Sequence, residues 1–433
     1  MKKIILSLII LFTISIININ AQITLNAEDS NPNKMGWMNG FPPQKDSILS
    51  VADGSFFQFP GLRYSVNHMR QFLPTVRVKS AEKNNYIFSS ELDNNIDSIL
   101  FTPWGSNEKM SWKESLSMNY TDGIIILHKG KIVYEKYDGG LVADGIHAVM
   151  SVSKTFTGTL GAVLIAEGIL DENKIAEEYV PEFKNSAFGN ATIRQILDMT
   201  TALQYSEDYN DPNSEVWDFS AAGNPLPKPE DYQGPINYYE YLETVKSIGE
   251  HGDAFGYKTV NTDALGWIIS RATGKGIAEL LSEKIWQPLG THFDGYYQVD
   301  GSGIVFAGGG FNANLRDVAM FGEMIRNEGY FNNQQIIPAS VIKDIERGGN
   351  PEAFVKAGYT NLKDWSYRNM WWITHNDHGA FAARGVHGQT IYIDPKAEMV
   401  IVRFASHPVA ANAASDTYSI PAYHAVGEYL LNK

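Results

Sequence analysis

His147-Ala-Val-Met-Ser-Val-Ser-Lys-Thr-Phe156 is the stretch on which the fold turns. An apolar approach, Ala148-Val-Met150, leads into Ser151, and from there Phe156, Leu160, Val163 and Leu164 recur at helical spacing until Gly168 stops the pattern. The periodicity predicts a helix over Ser151–Glu167. Residues three apart on a helix are neighbours, so the amine of Lys154 can reach the hydroxyl of Ser151 one turn earlier. An amine acts as a base only when neutral, and desolvation favours the neutral form. Ser-x-x-Lys occurs four times, at Ser80–Lys83, Ser106–Lys109, Ser151–Lys154 and Ser340–Lys343. Ser80 and Ser106 lie among charged and amide side chains that keep a lysine hydrated. Ser340 follows Pro338 as a helix cap, with Asp344 and Glu346 beside Lys343. Only the Ser151 helix carries no acidic side chain before Glu167, and its amino end favours a developing oxyanion.

Working outward, Gly123–His128 is a β-branched run, Lys129-Gly130 a turn and Lys131–Tyr137 an alternating run, which together predict a hairpin. Thr192 should cap a helix to Met199. A polar and aromatic stretch from Thr200 to Gly256 shows no clear period, and helical pattern returns over Thr262–Thr273 and Asn314–Glu328. Gly385–Phe404 should form strand, turn at Asp394-Pro395 and strand, before a last helix from about Ile420. Strands near both ends of this region imply an α/β (α+β) fold, an antiparallel sheet flanked by helices with a helical lobe from the middle of the chain.

The segment around Ser151 resembles the active-site helix of serine β-lactamases and penicillin-binding proteins. Met35-Gly-Trp-Met-Asn-Gly-Phe-Pro-Pro43, Leu197-Asp-Met-Thr-Thr201, Ser206-Glu-Asp-Tyr209, Gly308-Gly-Gly-Phe-Asn312 and Ala383-Arg-Gly-Val-His-Gly-Gln389 are similar to the 6-aminohexanoate-dimer hydrolase branch and its carboxylesterase relatives. The resemblance implies a β-lactamase/transpeptidase fold with Ser151 as nucleophile and Lys154 as base. Tyr257, in Tyr257-Lys-Thr259, falls on the proton-relaying tyrosine of a Tyr-x-Asn element, with Thr259 where that element has Asn. The strand Ala383–Thr390 takes the place of Lys-Thr-Gly but lacks its lysine. Its Val386 amide, with Ala383 as the alternative, would complete the oxyanion hole. Tyr209 matches an aromatic at the mouth of the site, near the acids Asp208, Asp211 and Glu215. Asn261 reads as a helix cap, Trp371 and Trp372 as structural, and His375 and His378 as loop histidines without metal-ligand spacing.

The ends and composition set bounds. Lys2, Lys3, an apolar run to Ile17 and Ala21 have the order of a secretory signal peptide, which predicts a periplasmic or secreted protein cleaved near Ala21. Residues 22–112 read as an extension packed on a hydrolase domain spanning 113–433. Cleavage would remove two lysines and no acid, taking the net charge from −14 to −16, which disfavours nucleic acid and anionic membrane as partners. No cysteine is present, excluding disulfides, thiolate metal sites and a cysteine nucleophile. No phosphate-cradling loop or other cofactor motif occurs, so no cofactor is expected. The expected partner is a small ester or amide, with no membrane insertion after signal cleavage; nothing in the sequence sets an oligomeric state. The alternatives are a D-alanyl peptidase or β-lactamase, and a non-catalytic binding protein of the same fold.

Overall fold

The computed structural model describes residues 25–433; the signal peptide expected over 1–21 lies outside the described residues. The expected hairpin forms as β1 (Thr121–His128) and β2 (Lys131–Tyr137). Five further strands, β3 (Ser366–Arg368), β4 (Trp371–Ile373), β5 (Phe381–Gly385), β6 (Gln389–Asp394) and β7 (Met399–Ala405), complete a seven-stranded antiparallel sheet. Its order is β3-β4-β5-β6-β7-β1-β2, joining the two ends of the hydrolase region. Alternate residues of β1 enter different cores. Ile125 and Leu127 pack into the main core and Ile124 and Ile126 into a second one, as the two-residue period of a strand requires. That explains an uninterrupted apolar run, since both faces are covered.

Four helices matter for the site. Helix α1 (Val152–Ala166) has every residue from Val152 to Leu164 buried, the signature of a helix apolar on all sides and enclosed by the protein. Phe156 on it packs against Trp286, Phe311 and Phe321. Helix α2 (Val260–Thr273) lies against α1 in the helical lobe, and α3 (Leu315–Arg326) covers the main-core face of the sheet. Asn314 caps α3 by accepting from the Arg316 amide at 3.0 Å. Helix α4 (Ala413–Leu431) covers the second face.

Helix α4 departs from expectation. It begins at Ala413 rather than near Ile420 and runs through Pro421. Proline has no N–H for the carbonyl four residues earlier. Here that carbonyl, Thr417 O, accepts from the Trp104 amide at 3.0 Å, so a strand of chain from the extension replaces the missing bond. The extension is tied in elsewhere too. Thr75–Val78 is the edge of a four-stranded antiparallel sheet with Gly295–Gln298, Phe311–Ala313 and His147–Ala148. That sheet holds the chain immediately before Ser151. Among the described residues no helix is long and apolar enough to cross a membrane.

Candidate active site

The chain leaves His147–Ala148, turns at Met150 with a left-handed φ of 48°, and enters α1 with Ser151 as its N-cap. A positive φ at a non-glycine residue is strained and persists only where surroundings enforce it. Val149 N–H bonds to Phe311 O at 3.0 Å on one side of the turn, and the Ser153 hydroxyl bonds to Met150 O at 2.6 Å on the other. Ser151 itself remains partly open to solvent.

Lys154 Nζ lies 2.8 Å from Ser151 Oγ and 2.7 Å from the Gly308 carbonyl oxygen, with its side chain 1% exposed. Burial lowers its pKa to about 8, and the charges of Glu207 and Asp263 oppose the shift. Gly308 also donates its N–H to Asp263 Oδ1 at 3.2 Å, so one glycine residue, through its N–H and its C=O, stands between lysine and carboxylate. Asp263 is raised, first by burial and against the pull of Lys154; its Oδ2 has no hydrogen-bond partner among the described residues.

Tyr257 stands on the other side of the serine. The Lys154 ammonium sits 5.1 Å from its ring centroid. Burial and the charge of Glu207 push the phenol far above its ordinary range, while Ser151 draws it back as a hydrogen-bond partner. Trp372 packs on Tyr257 with centroids 5.3 Å apart, and Arg384 lies over Trp372 and pairs with Asp416. Trp371 points away into the core, bonded to Thr159 Oγ1 at 3.2 Å. Only one of the two tryptophans therefore borders the site.

Gly385 brings β5 against Ser151, because a Cβ there would lie 3.0 Å from Ser151 N. The expected continuous strand over Ala383–Thr390 is broken. Residues Val386–Gly388 form a tight turn between β5 and β6, with φ of 64° at His387 and 96° at Gly388; Gly388 accepts this left-handed geometry without a Cβ clash. The Ser151 and Val386 amides form no hydrogen bond to a carbonyl among the described residues, while Ala383 is inside the ladder opposite Ile391. Both amides lie near the end of β5, Val386 following Gly385 and Ser151 N beside it.

The remaining expected positions fall into place unevenly. Tyr209 is 37% exposed and meets Trp217 edge-on with ring centroids 6.0 Å apart; burial, Glu207 and Tyr257 raise its phenol well above the usual range. Thr259 is the N-cap of α2, buried, and gives its N–H to Glu207. Asn261 is inside the first turn of α2 rather than its cap, accepting from Thr201 Oγ1 at 2.6 Å. Ser340 is likewise inside a helix that Pro338 caps. The other Ser-x-x-Lys pairs are scattered: Ser80 bonds Asp294 at 2.9 Å, Ser106 bonds Glu108 O, and Lys343 reaches Glu328 on the surface. His375 binds Ser366 at 2.7 Å.

Glu207 is the residue that sequence reasoning passed over. Asp208 and Asp211 are exposed and hold turns through Asn210 and Asn213, and Glu215 accepts from the Ser206 amide. Glu207 alone of these acids acts on Lys154, Tyr209 and Tyr257 together. Its position between Ser206 and Asp208 carries no periodic or motif signal that separates it from its acidic neighbours. A separate cavity lined by Asp198, Thr200, Phe255 and Arg368 includes none of Ser151, Lys154 or Tyr257.

An antiparallel sheet, a helical lobe and a Ser-x-x-Lys pair with its lysine buried at their junction define the class of β-lactamase- and transpeptidase-like serine hydrolases. The Beta-lactamase family profile matches residues 120–424, and the chain belongs to this family. It is 35% identical over 298 residues to 6-aminohexanoate-dimer hydrolase of Paenarthrobacter ureafaciens, covering 68% of this chain and 75% of that one. A Bacillus anthracis structure with a provisional 6-aminohexanoate-dimer hydrolase name superposes with a TM-score of 0.80 at 35% identity, over 90% of this chain and 99% of the other. The hydrolase EstCE1, described as having promiscuous acyltransferase activity, shares the fold with a TM-score of 0.58 at 15% identity, over 73% and 96% of the two chains.

Proposed function

We propose that this serine hydrolase cleaves small esters and linear amides through an acyl-enzyme on Ser151. The observation that carries the proposal is Lys154 Nζ at 2.8 Å from Ser151 Oγ in a buried setting that lowers its pKa. Neutral Lys154 takes the serine proton as Oγ attacks the substrate carbonyl. The Ser151 and Val386 amides hold the oxyanion. Tyr257, beside both serine and lysine, passes the proton to the leaving nitrogen or oxygen as the scissile bond breaks. Water then attacks the acyl-enzyme, gives its proton back through the same groups and releases the acid.

Glu207 and the mouth tyrosine Tyr209 favour substrates with an amine or no charge near the scissile bond over anionic ones. The relatives are named for 6-aminohexanoate dimers, linear amides with an amine at one end and a carboxylate at the other, so they support the amide class rather than the charge preference. β-Lactams are expected to turn over negligibly: Thr259 stands where an Asn orients the lactam side chain, and the turn at Val386–Gly388 has no lysine for the carboxylate. Residues 1–21 further support export, which N-terminal sequencing of the mature protein from its native host tests.

A fluorophosphonate should label wild-type protein stoichiometrically and Ser151→Ala not at all, with p-nitrophenyl acetate hydrolysis lost in parallel. Wild-type rates in Ser151→Ala, together with loss in Ser80→Ala, Ser106→Ala or Ser340→Ala, would assign the wrong serine. Comparing short esters, 6-aminohexanoate dimer, D-Ala-D-Ala peptides and nitrocefin tests the substrate class. Nitrocefin turnover matching that of the esters would overturn it.

A further inference from the structure

A second cluster of chemistry-bearing side chains lies at the far end of β5 from Gly385. Strand β5 runs from Phe381, which follows the loop after β4, to Gly385 beside Ser151, so roughly 13 Å of strand separates the cluster from the nucleophile. Asp377, His378 and His424 each place one ligand atom here, all within 4.8 Å of one another. The two imidazole centroids are 4.7 Å apart.

His378 is almost wholly buried. Its Nδ1 lies 2.6 Å from Asp394 Oδ2, and Asp394 is itself fully buried at the end of β6. Its Nε2 lies 2.7 Å from Glu428 Oε1. His424 is one turn before Glu428 on α4, so both side chains leave the same face of that helix. His424 Nδ1 is buried and has no hydrogen-bond partner among the described residues. Gly427 allows the approach, since a Cβ there would lie 2.6 Å from Asp394 Oδ2 and 3.5 Å from His378 Nδ1.

These contacts have a common chemical solution. When Asp394 accepts the Nδ1 proton of a neutral His378, Nε2 presents a lone pair, and a carboxylate behind an imidazole is the usual support of a metal-binding histidine. A cation at Nε2 gives Glu428 a counter-charge and gives the orphan His424 nitrogen a partner. Two imidazoles with carboxylates and no thiolate suit a divalent ion of the zinc, cobalt and nickel group. Calcium and magnesium prefer all-oxygen sites. We propose that His378, His424 and Asp377, completed by Glu428 and oriented by Asp394, bind one zinc-class divalent cation that fastens α4 to the sheet. The site is structural, being remote from Ser151. His378 thereby differs from the plain loop histidine expected from sequence, whereas His375 matches that description.

The test uses untagged full-length protein stripped with chelator. Zn²⁺ should bind at one equivalent per chain and raise the thermal midpoint, Co²⁺ should give the visible absorption of a four-coordinate site, and Mg²⁺ or Ca²⁺ should do neither. His424→Ala should abolish binding. Asp377→Asn, at an exposed loop position that packing does not depend on, should weaken it at least tenfold. Hydrolysis of p-nitrophenyl acetate should change less than twofold on metal removal. Absence of stoichiometric Zn²⁺ uptake by wild type, or unchanged uptake in either variant, would overturn the proposal. It would leave a proton clamp only, a charged His378 between Asp394 and Glu428. Its hydrogen bonds raise the His378 pKa against the effect of burial. Such a clamp stabilises the fold fully at low pH and loses that contribution as pH rises through the raised pKa.

Discussion

Two buried charge clusters flank the start of α1, and they treat their charges in opposite ways. In one, Arg63 and Asp122 are 1% and 0% exposed and lie 3.0 Å apart. Arg63 also gives hydrogen bonds to Ser406 Oγ, Ser30 Oγ and Ala27 O, and His147 Nε2 approaches Asp122 Oδ2 at 3.3 Å. Each guanidinium nitrogen meets an acceptor. In the other, among the described residues, Lys154 touches a hydroxyl and a carbonyl but no carboxylate, and Asp263 keeps one oxygen without a partner. The first arrangement fixes structure. The second leaves an amine poised to change protonation state. Saturation of hydrogen bonds, rather than burial, separates a stabilising charge from a reactive one.

Lys154→Met should separate these roles most sharply. Removal of the base should lower kcat/KM by roughly 10³-fold or more, while the thermal midpoint holds or rises, because deleting an incompletely paired buried charge relieves its desolvation cost. A rate within tenfold of wild type would mean that another group activates Ser151.

Asp122→Ala should do the reverse. Left without its partner, the buried Arg63 guanidinium should cost about 3–5 kcal/mol of stability in denaturant titrations, with kcat per folded molecule unchanged. A loss below about 1 kcal/mol would put the two clusters on the same footing.

Tyr257→Phe keeps the packing on Trp372 and removes only the hydroxyl. A fall in kcat of about 10²-fold is expected, larger for amides than for esters because a leaving amine needs the proton more. An equal loss for both would remove the tyrosine from leaving-group protonation.

The smallest effect is a displacement along the pH axis. With neutral Lys154 as the proposed base, kcat/KM should rise with pH through about 8, the value to which burial lowers the lysine, and fall away below it. The negative charge of Asp263 holds the lysine pKa up, so Asp263→Asn should move the profile toward acid. A profile unmoved in the variant would show that Gly308 insulates the two groups.

The Ser151–Lys154 contact was legible in the sequence because its context is chemical as well as periodic: an apolar lead-in and a helix without acids distinguish Ser151 from three other serines. The hairpin at Gly123–Tyr137 was legible for the same reason that it is stable, its β-branched run serving two cores. Less was visible where a distant partner decides the outcome. Pro421 suits the first turn of a helix that starts near Ile420, and only the Trp104 amide, over three hundred residues away in sequence, lets α4 pass through it. The break at Val386–Gly388 was hidden because Gly385 and Gly388 also fit a strand pressed against ligand. Glu207 was hidden among neighbouring acids, since nothing local tells which carboxylate turns inward.

The border drawn by family similarity at residue 120 is not a border of the folding unit. A chain cut there would retain Ser151, Lys154 and Tyr257, yet Asp122 would be stranded without Arg63, the edge strand Thr75–Val78 would leave the sheet that steadies His147–Ala148, and the Thr417 carbonyl would face α4 with nothing to receive. Recombination between such hydrolases is therefore constrained by linkage. The extension and the segment it braces must be inherited together, and a graft that moves the catalytic region alone carries its chemistry into a protein unable to hold it.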